Sequence, residues 1–379
     1  MLVEEILSGI LCNADSTIHL YRLSALKDIS KALMKSQNLS LSDMGRNIVG
    51  STTPKHNIKR VDRFVGNEKM YQELSVIYSG LSKYVMQYTQ SEMPVEVIID
   101  VSYMKDDRCL AMLSAQLSYK GRSLPLYNEI FKEGELKGKA SSFLETLKEL
   151  LPADRKVIIV LDAGFFEDWF KSIEALGYYW VCRIRKGRSI SKDTEWYNSE
   201  ELFSRASRVA KRFENCLLTK RHKHGCAIVL KEQIKKGRTQ KISRGKTTNK
   251  WGGGSYASSA NEPWLLATNL PEEYTATTVV NIYKKRMQIE ESFRDLKSHQ
   301  FGLKARYIRS MNVHRWGVLM LLAAIVQIVY WVLGRVGHAQ NLQRYFQSNT
   351  IKNRKVFSDF TLGKLLFEHE KIDLIYSSS

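Results

Sequence analysis

Nineteen consecutive residues from Trp316 to Gly334, WGVLMLLAAIVQIVYWVLG, carry only one strongly polar side chain, Gln327. A helix apolar on every side cannot lie on a wet surface. It either crosses a bilayer or sits enclosed in a core. The rest of the chain is polar, and the N-terminus, MLVEEILSGILCNADST, has acidic residues where a signal peptide needs basic ones. A single apolar stretch late in such a chain is expected to be a buried core helix, with no membrane partner.

A sequence of 379 residues is long enough for two or three domains. Its 58 basic and 39 acidic residues leave a net charge of +19. That surplus favours a polyanionic partner, because each Lys or Arg on a phosphate releases condensed counterions. Nucleic acid fits best; a membrane surface or a ribosome would also attract such a chain. The five cysteines are scattered, odd in number and without C-x-x-C spacing, which argues against a disulfide framework or a zinc site and suits a reducing cytoplasm.

Residues 1–90 read as helical, with apolar residues at helical spacing through Leu20, Leu23, Leu26, Ile29 and Leu33, and again near Tyr71 to Tyr84. Between them, Ser40 or Ser42 can start a short helix that Gly50-Ser-Thr-Thr-Pro54 breaks. A second helix then presents Lys55, His56, Lys59, Arg60 and Arg63, with Ile58, Val61 and Phe64 left for packing. Helix, turn and basic helix make a candidate DNA-reading helix-turn-helix; a solvated basic helix is the plainer alternative.

From residue 95 the period changes. VEVIIDV (95–101) is a buried-strand pattern that runs into Asp100, and a Lys120-Gly121-Arg122 turn separates two further strand-like stretches. Residues 138–151 read as a helix closed by Pro152. VIIVL (157–161) then runs into Asp162, followed by an amphipathic helix at 166–175 and a strand at 178–185. This order predicts a mixed α/β sheet covered by helices. Residues 186–270 form short strand-like pieces, and the basic, Gly-rich 235–255 reads as a mobile loop able to follow a phosphate backbone. Helix resumes near 277.

Two aspartates at strand ends, if neighbouring, repel one another. A divalent cation between them keeps both ionised, and a pair of Mg²⁺ ions can drive in-line displacement at phosphorus. Ordinary strand-end caps are the alternative. NIYKKRMQIEESFRDLK adds a third carboxylate. Read as one straight helix, Tyr283, Arg286, Glu290 and Lys297 fall near 0°, 300°, 340° and 320°, within about 60° at about 100° per residue. A phenol, a guanidinium, a carboxylate and an ammonium along one stripe suit a metal ligand flanked by phosphate-holding groups, although a salt-bridged solvent face has the same look. Glu291 points away from the stripe, which favours Glu290 as the ligand. Arg294 falls near the same face.

Tyr283-x₂-Arg286-x₃-Glu290-x₆-Lys297 resembles the Y-(2)-R-(3)-E-(6)-K signature of the IS4-family insertion-sequence transposases of bacteria. Asp162-Ala-Gly-Phe165 resembles the family's block around its second catalytic aspartate, and Asp100 matches the first. Lys55-His-Asn-Ile-Lys-Arg60 and EPWLLATNLP (262–271) are similar to the IS10-like branch. The resemblance implies a DDE transposase with an RNase H-like catalytic core and a mainly β insertion, for which the 128 residues from Asp162 to Glu290 leave room. Its expected segments are 1–90, helical and DNA-binding; 91–185 and 273–335, the core; 186–272, the β insertion; and 336–379, helical. It further implies that Asp100, Asp162 and Glu290 are catalytic and hold Mg²⁺, with Mn²⁺ able to substitute. Double-stranded DNA is the implied substrate, cut through hairpin ends and rejoined in a cut-and-paste route by a homodimer on the bacterial nucleoid. Tyr283, Arg286, Lys297, Arg294 and a stacking Trp264 would hold the DNA end and a flipped base; an indole at Trp264 is equally at home in a core. A nuclease that does not rejoin DNA, and a regulator with an inactive site, are the rival functions.

Overall fold

The computed structural model describes residues 2–14, 18–105, 108–233, 262–299, 302–351 and 354–372. The chain opens with helices α1 (Leu2–Cys12), α2 (Leu20–Ser36), α3 (Leu41–Arg46), α4 (Pro54–Val65), α5 (Glu68–Gln72) and α6 (Leu74–Met86). Strands β1 (Val95–Tyr103), β2 (Leu110–Ser118) and β3 (Ser123–Lys132) precede α7 (Ala140–Leu150), β4 (Val157–Leu161), α8 (Glu167–Ala175) and β5 (Tyr179–Arg183). Next come β6 (Ser189–Lys192), β7 (Glu195–Asn198), α9 (Ser199–Phe203), β8 (Lys211–Leu218), β9 (His224–Lys231) and β10 (Trp264–Thr268). Helices α10 (Ala276–Lys284), α11 (Met287–Lys297), α12 (Val313–Ala339) and α13 (Asp359–Glu368) follow. The chain divides into two compact units, one formed by Met1–Arg155 with Met287–Ser379 and the other by Lys156–Arg286. It is thus a mixed α/β protein. The basic loop expected at 235–255 lies outside the described residues.

In the first unit, β1, β2 and β3 form an antiparallel meander. The β2–β3 hairpin turns at Gly121, whose φ of 79° is costly for any side chain. Pro125 has no N–H to donate, and the ladder is irregular there, between the Ala115 and Gln116 pairings. Helix α12 is the apolar segment, and every residue from Trp316 to Gly334 is buried. It packs against α1, α2, α5, α6, β3 and α13. By length and composition it could cross a membrane; here protein covers it on all sides. The crossing with α13 brings backbones together: a Cβ at Gly334 would overlap the Asp359 carbonyl, and one at Gly363 that of Tyr330.

Helices α2, α3 and α4 pack on one another. Ser40 caps α3 by accepting the Asp43 N–H, and Pro54 opens α4 at a position where no intrahelical N–H is needed. A Cβ at Gly45 would collide with the Ile58 backbone, so the α3–α4 approach requires glycine. Val61, Phe64 and Val65 are buried, whereas Lys55, His56, Lys59, Arg60 and Arg63 are exposed. The helix–turn–basic helix read from the sequence is therefore present.

In the second unit, β4 and β5 are parallel and joined through α8. The sheet continues antiparallel in the order β4-β5-β10-β9-β8-β6-β7. Phe170 of α8 stacks on Trp180 of β5 with centroids 4.1 Å apart. Glu174 accepts the Trp180 indole N–H at 2.8 Å and lies 3.1 Å from His224 Nε2. Helix α10 packs on β5 and β9.

The structure corrects two sequence expectations. NIYKKRMQIEESFRDLK is not one helix: α10 ends at Lys284 and α11 begins at Met287. The Lys285 N–H bonds to the Ile282 carbonyl and the Arg286 N–H to that of Tyr283, a tighter i→i−3 turn that resets the helical phase. The four-residue arc therefore splits into two pairs. Asp100 also does not end its strand, since β1 continues through Val101, Ser102 and Tyr103, all paired with β2.

Candidate active site

Strand β4 is buried along its whole length, so its carboxyl end delivers Asp162 from a rigid support. Its parallel neighbour β5 ends in Arg183, with Arg185 two residues on. The Asp162 side chain is 20% exposed and surrounded by donors and cations of the second unit. Tyr283 donates its hydroxyl to Oδ1 at 3.2 Å, and Arg185 donates Nη2–H to Oδ2 at 3.3 Å. Arg286 Nη1 stands 3.9 Å from Oδ2. Burial alone would raise the Asp162 pKa. The Arg286 charge, the Ala163 N–H, Arg185 and Arg183 outweigh it and hold the carboxyl below its ordinary range. The Tyr283 phenol is pushed far up, first by burial and then by the Asp162 charge, and stays protonated as a donor. Trp264, at the start of β10 and half-buried, meets Tyr283 edge to face with centroids 5.3 Å apart. Asp162, Tyr283, Arg286 and Trp264 are thus together.

The first unit carries the other predicted residues. Asp100 is half-buried within β1 and accepts the Val101 N–H at 2.8 Å. Two residues on, Ser102 Oγ accepts from Lys297 Nζ at 2.6 Å, and Lys297 also donates to the Tyr103 carbonyl. The last turn of α11 is thereby fastened to the end of β1. Glu290 is exposed in the first turn of α11. Glu291 binds Arg122 at 2.8 Å and also pairs with Arg294. Arg294 is thus engaged with Glu291.

On α4, Arg60 pairs with Asp28 at 2.6 Å and Asp62 with Arg315. Sequence reasoning missed Arg183 and Arg185. Within RIRKGR they look like an ordinary basic turn; the alternation of Arg183 and Arg185 after an apolar strand was the available signal.

Three carboxylates supply oxygen donors only, which suits a hard divalent cation. Asp162 fits that role by its charge, although both of its oxygens already accept hydrogen bonds and Arg185, 53% exposed, would have to move aside. Among the described residues no group of three or more His, Cys, Asp or Glu side chains is gathered to hold a metal ion.

Comparison with curated proteins gives no match. A family model described as the transposase DDE domain matches residues 133–326, half of the chain. The match takes in Asp162 and Glu290 and begins beyond Asp100. The chain therefore belongs to the transposase DDE-domain family, enzymes that act on DNA in transposition.

Proposed function

We propose that this transposase works by a cut-and-paste route of the IS4 type, with Asp100, Asp162 and Glu290 as its catalytic carboxylates. The observation that carries this reading is the state of Asp162: a largely buried carboxylate at a strand end, kept ionised by arginines and oriented by a phenol. An ordinary strand cap needs no such surroundings.

Asp100, Asp162 and Glu290 would hold Mg²⁺, or Mn²⁺ in its place. Held there, such a cation would supply the positive charge for activating a water or hydroxyl nucleophile and for stabilising the leaving oxygen. The protein's own groups do the rest. Arg286 and Arg185 exchange the Asp162 carboxylate for DNA phosphate oxygens. Lys297, anchored through Ser102, offers an ammonium at the end of β1, and Arg294 adds charge along α11. Tyr283 keeps Asp162 in one rotamer, and the exposed part of Trp264 offers a ring face to an unpaired base. The exposed Lys55, His56, Lys59, Arg60 and Arg63 of α4 bind the transposon end as a recognition helix. Two copies are needed to bring two ends together, and the site of action is the bacterial nucleoid in the cytoplasm.

The test is incubation of the purified chain with Mg²⁺ and DNA carrying candidate inverted repeats. Hairpin-ended intermediates followed by joined product are expected, and Asp162→Asn should give neither. Nicked DNA that is never joined would overturn the reading in favour of a nuclease. Full biological activity of Asp162→Asn alongside an inactive Arg60→Ala would favour a DNA-binding regulator.

A further inference from the structure

Two of the five free cysteines face one another across the β8–β9 hairpin: Cys216 and Cys226 are direct cross-strand partners. Directly opposed residues of an antiparallel pair project from the same face with Cβ atoms about 4.5–5.5 Å apart. That is near the separation a disulfide needs. A bulge creates the alignment. Phe213 pairs with Ile228, and three residues later Cys216 pairs with Cys226, two residues before Ile228. The additional residue is absorbed at Glu214–Asn215, where Asn215 takes φ of 53°, a left-handed conformation that asparagine tolerates. Without the bulge, Cys216 would fall on the face opposite Phe213. With it, Phe213, Cys216 and Ile228 together line one cavity of about 320 Å³ in the second unit.

We propose that Cys216 and Cys226 are a dithiol that closes reversibly into an intrachain disulfide under an oxidising low-molecular-weight disulfide. The thiolate of one cysteine attacks the oxidant and releases one thiolate. The thiolate of the other then attacks the first cysteine's sulfur in that mixed disulfide and releases the second. Two protein thiols are oxidised, one small disulfide is reduced to two thiols, and the protein's two protons pass to the leaving thiolates. The bond pins β8 to β9 beside the bulge and changes the lining of the cavity. Burial pushes the Cys216 thiol up to about 11, with Asp193 and Glu214 raising it and Lys192 lowering it. Cys226 is raised too, by burial and then by Cys216, Glu174 and Glu214. Thiolate is the attacking form, so closure is slow at neutral pH and accelerates as pH rises.

The experiment treats the native full chain with oxidised glutathione at pH 7 and pH 9, then alkylates, digests with trypsin and maps the peptides by mass. Cleavage after Arg212, Lys220, Lys223 and Lys231 separates the two cysteines into Phe213–Lys220 and His224–Lys231. The expected result is one linked species, two hydrogens lighter than the sum, forming faster at pH 9 and lost on reduction. It should be absent from Cys216→Ser and Cys226→Ser. The exposed Cys12 and Cys109 should take up glutathione as separate adducts. Recovery of the two peptides unlinked from protein whose Cys12 is fully glutathionylated would overturn the proposal. So would a link that forms only after denaturation.

Discussion

Asp162, largely buried, and Asp295, buried, are two aspartates beside arginines, and they behave in opposite ways. At the end of β4, Arg286, Arg185, Arg183 and a backbone N–H outweigh burial, and the carboxyl titrates below its usual range. On α11, the Asp295 side chain is 8% exposed and has Arg122 at 3.6 Å, but Arg122 is shared with Glu291. There burial prevails, helped by the Glu291 charge, and the pKa rises to about 6. An arginine nearby does not mark a functional carboxylate. What differs is the balance: Arg286, Arg185 and Arg183 act on Asp162 with no second carboxylate among the causes of its shift, whereas Glu291 offsets the cations at Asp295.

The sharpest way to break this contrast is to neutralise each carboxylate in turn. Asp162→Asn should lower the rate of strand cleavage on the order of 10³-fold or more, whereas Asp295→Asn should leave it within a few-fold, both read from product formation on labelled DNA. Equal losses would erase the distinction.

Stability should respond the other way around. With its folded pKa raised, Asp295 contributes most below its unfolded value near pH 4, and the protein loses stability as pH rises through about 6. Asp295→Asn should flatten that fall, worth roughly 3 kcal/mol between pH 4 and pH 7 at about 1.4 kcal/mol per unit. Urea unfolding at several pH values measures it. Asp162 has the opposite sign: its contribution is complete above about pH 4 and disappears as pH falls through its lower folded pKa.

Removing the groups around Asp162 sharpens the comparison further. Arg286→Gln should move the acid limb of cleavage upward, because the largest favourable charge beside Asp162 is lost. Tyr283→Phe, which deletes the 3.2 Å hydrogen bond, should cost about 1 kcal/mol of unfolding free energy and shift the limb less. The smallest effect belongs to α4. Lys59→Ala should reduce the slope of log affinity against log salt by about one, and Arg60→Ala by less, because Asp28 already partly satisfies Arg60.

Much of this fold is legible in the sequence. Local signals reported local structure: Ser40 or Ser42 as a start and Gly50–Pro54 as a break outlined α3 and the helix after it, the Gly121 turn placed the β2–β3 hairpin, and the all-apolar stretch gave α12. The break between α10 and α11 was invisible, because no glycine or proline lies between Ala276 and Lys297. It comes from tertiary packing: α10 rests on β5 and β9, and α11 on β1 and β3. Arg183 and Arg185 were overlooked for a related reason. Nothing within RIRKGR announces that β5 will run parallel to β4 and bring those guanidinium groups to Asp162. Asp100 misled because a carboxylate in an apolar run looks like a strand end, yet the pairing with β2 continues three residues beyond it.

Helix α12 also dictates the order in which the protein can mature. It closes the core beside α1, α2, α5 and α6, yet it is synthesised only after the entire second unit. From Arg155 to the end of α12, translation takes roughly ten to forty seconds at about 5–20 residues per second. Throughout that interval the amino-terminal helices carry an uncovered apolar face. A message cut short before Val313 would yield a chain whose N-terminal helices lack the apolar helix they pack against.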